Sequence, residues 1–168
     1  MLIATWNVNS IRTRLSQIID WINQVNPDIL CLQETKVMDE SFPVETFEEL
    51  GYSAEFYGQK SYNGVAIISK IKAENVKKGF YGCKDFDQNI EIFQNQKRLI
   101  SADFDGIKIV NVYVPNGSSL DSDKFTYKIN WLNCLASFLD EQEKKGELIC
   151  LVGDFNAINI SRNQSFLI

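Results

Sequence analysis

Two short runs, Ile29-Leu30-Cys31-Leu32 and Leu148-Ile149-Cys150-Leu151-Val152, contain no polar residue. Successive side chains of a strand point to opposite faces, so a strand with one wet face alternates apolar and polar residues. A strand that is apolar on both faces must be covered on both, as in a sheet packed between layers. These runs therefore call for a layered α/β architecture and exclude a lone sheet with a solvated face. Both end abruptly in polar residues, Gln33-Glu34-Thr35-Lys36 and Gly153-Asp154-Phe155-Asn156. A third such motif, Trp6-Asn7, falls near the end of a strand read over Leu2 to Val8.

The segments between these strands supply the layers. Ser10 stands where a helix cap belongs, and Ile11, Leu15, Ile18, Ile22 and Val25 follow with helical spacing until Asn26-Pro27-Asp28 stops them. This gives a βαβ unit with a right-handed crossover. A short helix is expected over Val44 to Leu50, closed by Gly51, with strands over Ser53 to Tyr57, Gly64 to Ser69 and Ala73 to Phe80. Gly79 to Lys97 has no clear period and reads mostly as loop. Asp105-Gly106 separates Leu99 to Phe104 from Ile107 to Val114, the signature of a hairpin with a two-residue type I′ turn. Phe125, Ile129, Leu132, Leu135 or Ala136, and Leu139 line one face of a long helix, and Gly146 follows its lysine-rich end.

Composition limits the function classes. At 168 residues the chain reads as one domain, without an apolar run long enough to span a bilayer, and Met1 to Asn7 carries no basic n-region. The cytoplasm is the expected compartment, with no membrane partner. There is no histidine, and Cys31, Cys83, Cys134 and Cys150 lack C-x-x-C spacing, so a zinc site is not expected and the thiols read as reduced packing residues. A net charge of −5 argues against generic polyanion binding. An enzyme acting on DNA can still keep its basic residues local and screen its carboxylates with a metal ion.

Ligands of open α/β sheets gather at the carboxyl ends of the strands, where Asn7, Glu34, Tyr113 and Asp154 all fall. Glu34 at the mouth of a buried strand suits Mg²⁺, which takes one or two carboxylates and keeps several waters. Asn7 is placed to orient a metal-bound water or Glu34 itself. Asp154 can take a proton from an attacking water, Asn156 can hold the water or a phosphate, and Tyr113 can donate to a phosphate oxygen. Gly153 is read as letting the backbone approach a ligand. Singly, each has an ordinary alternative: a solvated acid, an Asx-turn, or a packed tyrosine. Arg12 and Arg14 open the first helix beside this edge, ready for phosphates. Lys70, Lys72, Lys77, Lys78 and Lys84 lie near Tyr62, Phe80 and Tyr81, either as a nucleic-acid surface or as solvated strand faces. Arg98, just before an apolar strand, reads as structural.

Taken together, the motifs resemble the exodeoxyribonuclease III and apurinic/apyrimidinic endonuclease family, within the endonuclease/exonuclease/phosphatase superfamily. The matching pieces are Thr5 to Arg12, Pro27 to Lys36, Gly58-Gln59-Lys60, Asn63 to Ile67, Asn111 to Gly117 and Gly153 to Asn156, in the family's order. The resemblance implies a four-layer α/β-sandwich and a Mg²⁺- or Mn²⁺-dependent DNA phosphodiesterase of base-excision repair. Its implied activities are AP endonuclease, 3′–5′ exonuclease and 3′-phosphatase, on double-stranded DNA with abasic sites or 3′ ends. By the same resemblance Glu34 is the metal ligand with Asn7 beside it, and Tyr113, Asp154 and Asn156 are catalytic. Asn9, Arg12, Arg14, Lys36 and Asn116 are DNA-side residues.

The resemblance covers residues 1–156, and 157–168 read as a divergent tail. The family's second half brings further strands, another metal-site aspartate and a closing Ser-Asp-His motif, none of which follows Asn156. The expectation is a truncated or frame-shifted product whose second sheet is largely missing. Such a chain would be weakly active or inactive and prone to associate through bare apolar surface, where family members are monomeric. The alternative is a non-catalytic fragment that binds nucleic acid or a partner.

Overall fold

A computed structural model describes residues 1–81 and 90–157. Cys83, Lys84 and the tail after Ala157 lie outside the described residues. Eight strands are described: β1 (Ile3–Asn7), β2 (Ile29–Gln33), β3 (Ser53–Tyr57), β4 (Val65–Ser69), β5 (Glu74–Lys78), β6 (Leu99–Phe104), β7 (Ile107–Tyr113) and β8 (Leu148–Asp154). The helices are α1 (Ile11–Val25), α2 (Val44–Glu49), α3 (Ile90–Asn95) and α4 (Asp123–Lys144), with a 3₁₀ turn at Asp39–Ser41. The turn and α3 are not expected from the sequence pattern.

The strands form two four-stranded sheets, in the orders β1-β2-β4-β3 and β5-β6-β7-β8. The first sheet joins a parallel pair, β1 and β2, to antiparallel β4 and β3. The second repeats this logic, with β7 and β8 parallel and β6 and β5 antiparallel. Each parallel pair is connected by a crossover helix, α1 or α4.

The apolar strands are covered as their composition demands. Leu30 and Leu32 of β2 face α1 and α2 with Ile11, Ile18, Ile22 and Phe47. Ile29 and Cys31, on the other face, meet Ile100, Ala102, Phe104 and Ile109 of the second sheet. Beyond that sheet, Leu99, Val110 and Val112 pack on Trp131, Leu135 and Phe138 of α4. The layers run helix, sheet, sheet, helix.

This corrects the expectation of a largely missing second sheet. The Asp105-Gly106 hairpin, β5 and β8 assemble that sheet between them, so the inner face of β2 is not bare. Exposure of apolar strand surface concentrates at the outer strands instead, with Leu148 at 63%.

Two local expectations also change. The Ser10 side chain does not cap α1. Backbone carbonyls of the loop after β2 do that work, with Ser10 N–H on Glu34 O at 2.7 Å and Ile11 N–H on Thr35 O at 3.0 Å. In α4 the buried stripe is Trp131, Cys134, Leu135, Phe138 and Gln142, while Ile129 is 39% exposed. The indole and phenyl rings fill the space over the sheet and turn the helix accordingly.

Candidate active site

The parallel pairing of β1 with β2 and of β7 with β8 sets Asn7 opposite Gln33 and Tyr113 opposite Asp154. Both C-terminal ends reach the same end of the sandwich. Glu34 leaves β2 in the left-handed region at φ 54°, followed by Lys36 at φ 52°. This conformation is uncommon for residues with a β-carbon. It is held by Thr35 N–H on Gly64 O at 3.2 Å and Lys36 N–H on Asn63 O at 2.9 Å. Gly64 is required there, because a β-carbon would lie 2.1 Å from Thr35 Oγ1.

Asn7 joins the two sheets. Its Nδ2 donates to Glu34 Oε1 at 2.8 Å and to Asp154 Oδ2 at 2.7 Å, while its Oδ1 accepts the Asn9 N–H at 3.0 Å. Two carboxylates from opposite sheets thus lie within two hydrogen-bond lengths of each other. Lys36 Nζ pairs with Glu34 Oε2 at 2.8 Å and also donates to Asn9 Oδ1. Burial alone would raise the Glu34 carboxyl, but hydrogen bonds from Asn7, Lys36 and Tyr113 outweigh it and hold the group below the usual carboxylate range.

Tyr113 faces Glu34 from the second sheet. Burial and its hydrogen bond to Glu34 push its phenol up to about 12, so it stays a proton donor. Arg98 lies over the Tyr113 ring, 4.5 Å from its centroid, and its Nη1 donates to Tyr113 O at 3.2 Å. The structural reading of Arg98 is therefore incomplete. Its placement is a register consequence, since the two-residue turn pairs Leu99 with Val112 and so sets Arg98 across from Tyr113.

Asp154 is fixed from both sides. Its Oδ1 accepts the Asn156 N–H at 2.9 Å, an Asx-turn, and its backbone O accepts Val114 N–H at 2.8 Å. Asn156 Nδ2 donates to Val114 O at 2.8 Å, which ties this side chain to the backbone. Gly153 has a packing role besides the one read from the sequence. At φ 145° its missing β-carbon makes room for the neighbouring strand, where Val112 O would stand 2.0 Å away.

Two clefts flank the carboxylates. One, about 580 Å³, is lined by Gln96, Arg98, Tyr113, Asn116, Lys124 and Tyr127 among others. The other, about 260 Å³, holds Arg12, Lys36 and Lys60. Arg98 and Lys124 thus line one cleft and Arg12, Lys36 and Lys60 the other, despite the net negative charge. Among the described residues no hydrogen bond or ion pair links the Arg14 side chain to this group. The lysine-aromatic stretch disperses: Lys70 sits over Tyr52, Lys77 over Tyr81 and Lys78 over Phe56, while Phe80 is a core residue. Gln96, Lys124 and Tyr127 carry no motif that marks them in the sequence.

Among the described residues no group of three or more His, Cys, Asp or Glu side chains is placed to hold a metal ion. Nor is any described helix long and apolar enough to cross a membrane.

Comparison with known proteins places this arrangement. The profile of the Endonuclease/Exonuclease/phosphatase family matches residues 4–164. Exodeoxyribonuclease III of Haemophilus influenzae is 34% identical over 161 residues, covering 93% of this chain and 57% of that protein. The structure of an AP endonuclease from Archaeoglobus fulgidus superposes with a TM-score of 0.82 at 42% identity, over 93% of this chain and 58% of that one. A 3′ phosphatase from Neisseria, bound to a product DNA hairpin, gives a TM-score of 0.82 at 39% identity with the same coverage. The chain thus spans somewhat over half the length of these relatives.

Proposed function

The chain belongs to the endonuclease/exonuclease/phosphatase family, and from that premise we propose that its site hydrolyses phosphoester bonds of DNA with a divalent metal ion. The observation that carries this reading is Asn7 Nδ2, which holds Glu34 and Asp154 together from two different sheets. The relatives named above as exodeoxyribonuclease III, AP endonuclease and 3′ phosphatase support abasic sites and 3′ ends of duplex DNA as the substrates.

The donor set fits Mg²⁺ or Mn²⁺. It offers ionised carboxylate oxygen from Glu34, with Asp154 near, and neither imidazole nor thiolate. Two carboxylates also suffice for Mg²⁺, which retains water, whereas a structural cage needs three or more protein ligands. When bound, the metal acts as Lewis acid and lowers the pKa of a coordinated water. Glu34 would hold it, with Asn7 orienting the carboxylate.

The chain's own groups then divide the remaining work. Tyr113, neutral and backed by the Arg98 cation, donates its O–H to a non-bridging phosphate oxygen as negative charge builds there. As the water oxygen bonds to phosphorus, Asp154 accepts its proton and the phosphoester P–O bond breaks, the departing oxygen taking a proton from solvent; Asn156 acts through Asp154, its backbone N–H holding Oδ1. Arg12, Lys36, Lys60, Lys124 and Asn116 line the strand's path. The chain contains no histidine, so proton transfer rests on carboxylate and phenol.

The test is single-turnover nicking of an abasic duplex, enzyme in excess, with Mg²⁺ and with chelator. Metal-dependent nicking that Glu34→Ala and Asp154→Ala both abolish supports the proposal. Equal nicking in all three proteins refutes it. Tight duplex binding without cleavage favours the non-catalytic alternative.

A further inference from the structure

Between the sheets, two buried amides lie among apolar side chains. Gln33 is 1% exposed and Asn111 is fully buried, and they face each other from β2 and β7. Gln33 Nε2 donates to Asn111 Oδ1 at 2.7 Å, to Thr5 Oγ1 at 2.9 Å and to Cys31 O at 3.1 Å. Asn111 Nδ2 donates to Leu32 O at 3.0 Å and Ala66 O at 2.9 Å, reaching across the gap into the backbone of the first sheet. One asparagine therefore holds β2, β4 and Gln33 at once.

Position in the chain gives this cluster its significance. Glu34 follows Gln33 directly, and Tyr113 lies two residues beyond Asn111 on the same face of β7. Asp154 pairs with Tyr113 in register. Apolar contact between layers is non-directional and leaves sliding only weakly opposed. Amide hydrogen bonds fix distance and angle. A buried polar network of this kind specifies one arrangement where an apolar core would accept several.

We infer that Gln33 and Asn111 form a latch that sets the lateral position of one sheet on the other, and are positioning residues for the phosphoester hydrolysis proposed above. The inference rests on that reading for its kinetic consequence, but not for its structural one. The Glu34 half of the site rides on the first sheet, and the Tyr113–Asp154 half on the second. Without the latch the layers stay packed but the halves shift. A shift of about 1 Å costs on the order of 10²-fold in rate.

The experiment uses the double variant Gln33→Met, Asn111→Leu, which replaces both amides with apolar groups of similar shape, and the milder Gln33→Met alone. Crystal structures and single-turnover kinetics are obtained for both and for the wild type. The expected result is a folded double variant in which the Asn7 Nδ2–Asp154 Oδ2 contact, 2.7 Å in the wild type, opens beyond hydrogen-bonding range. The maximal rate falls about 10²-fold with KM for the abasic duplex changed less than about 3-fold; Gln33→Met gives a fall of about 10-fold. If the double variant does not fold, Gln33→Met alone decides by the same two readouts. An unmoved Asn7–Asp154 contact, or a loss confined to KM, overturns the latch. A wild type that cleaves nothing refutes the function instead, and the crystallographic distance still judges the latch.

Discussion

Replacing Gly153 by alanine tests the geometry that presents Asp154. Two effects combine at this position. The φ of 145° lies in a region that residues other than glycine rarely enter, at a cost of about 1–3 kcal/mol. The new β-carbon would also stand 2.0 Å from Val112 O and 2.8 Å from Val112 C. Both are backbone atoms of the paired strand, so relief requires β8 to move away from β7. That movement stretches the Val114 N–H bond to Asp154 O, 2.8 Å long, and draws Asp154 from Asn7. Losing one or two such bonds adds about 0.5–1.5 kcal/mol each. The expected destabilisation is about 3–5 kcal/mol. For a domain of this size that lowers Tm by on the order of 10 °C. Gly106→Ala is the control: its φ is 81°, and nothing lies within 4 Å of the added carbon. That variant carries only the conformational cost, about 1–2 kcal/mol. Thermal and urea unfolding followed by circular dichroism measure both, with metal-dependent nicking alongside. Equal losses in the two variants, or full activity in Gly153→Ala, would refute the close-packing account of this strand pair.

Three further outcomes are expected. Asp103→Ala leaves the Lys108 ammonium, 3% exposed and bonded to Asp103 at 2.5 Å, without its main partner, a loss of about 3 kcal/mol. Asp103 holds the Lys108 value above its ordinary 10.5 despite burial, so the pair's stabilisation is complete below pH 10.5 and fades as pH rises through the raised value; urea melts of variant and wild type should converge there. Tyr113 contributes in the same sense, intact below pH 10 and lost as pH approaches about 12. In alkaline difference spectra its phenolate signal is absent from Tyr113→Phe and moves higher in Arg98→Ala, whose cation favours the phenolate. Phe104→Ala, at a 1% exposed site between the sheets, should cost about 3–5 kcal/mol by urea unfolding; Phe155→Ala, at a 41% exposed site, should stay within about 0.5 kcal/mol.

Local chemistry made much of this fold legible. Asp105-Gly106 dictates its hairpin because both residues must take positive φ, and they do, at 49° and 81°. From that turn alone the register follows, and with it the placement of Arg98 beside Tyr113. The apolar runs foretold covered strands but not their cover. β5 falls inside the strand expected over Ala73 to Phe80, but Glu74-Asn75-Val76-Lys77-Lys78 has one apolar residue, so its pairing with β6 was not readable. The convergence of Asn7, Glu34, Tyr113 and Asp154 was readable from strand ends. The bond from Asn7 to Glu34 was readable too, but its second bond, to Asp154 147 residues away, was not, because it depends on how the sheets stack. Likewise Gln33 and Asn111 look like ordinary interruptions of apolar strands until the sheets are stacked.

The bond between Asn7 and Asp154 spans 147 residues, and this has a consequence for how the molecule comes into being. Contacts of such sequence separation form late, because the chain must first lose the freedom of the long loop between them. On a ribosome, β1 to β4 emerge and can pair well before β8 exists. During that interval Glu34 has no opposing carboxylate and Gln33 has no Asn111. A nascent or half-folded chain therefore lacks the Asn7 bridge between Glu34 and Asp154, which forms only when β8 docks.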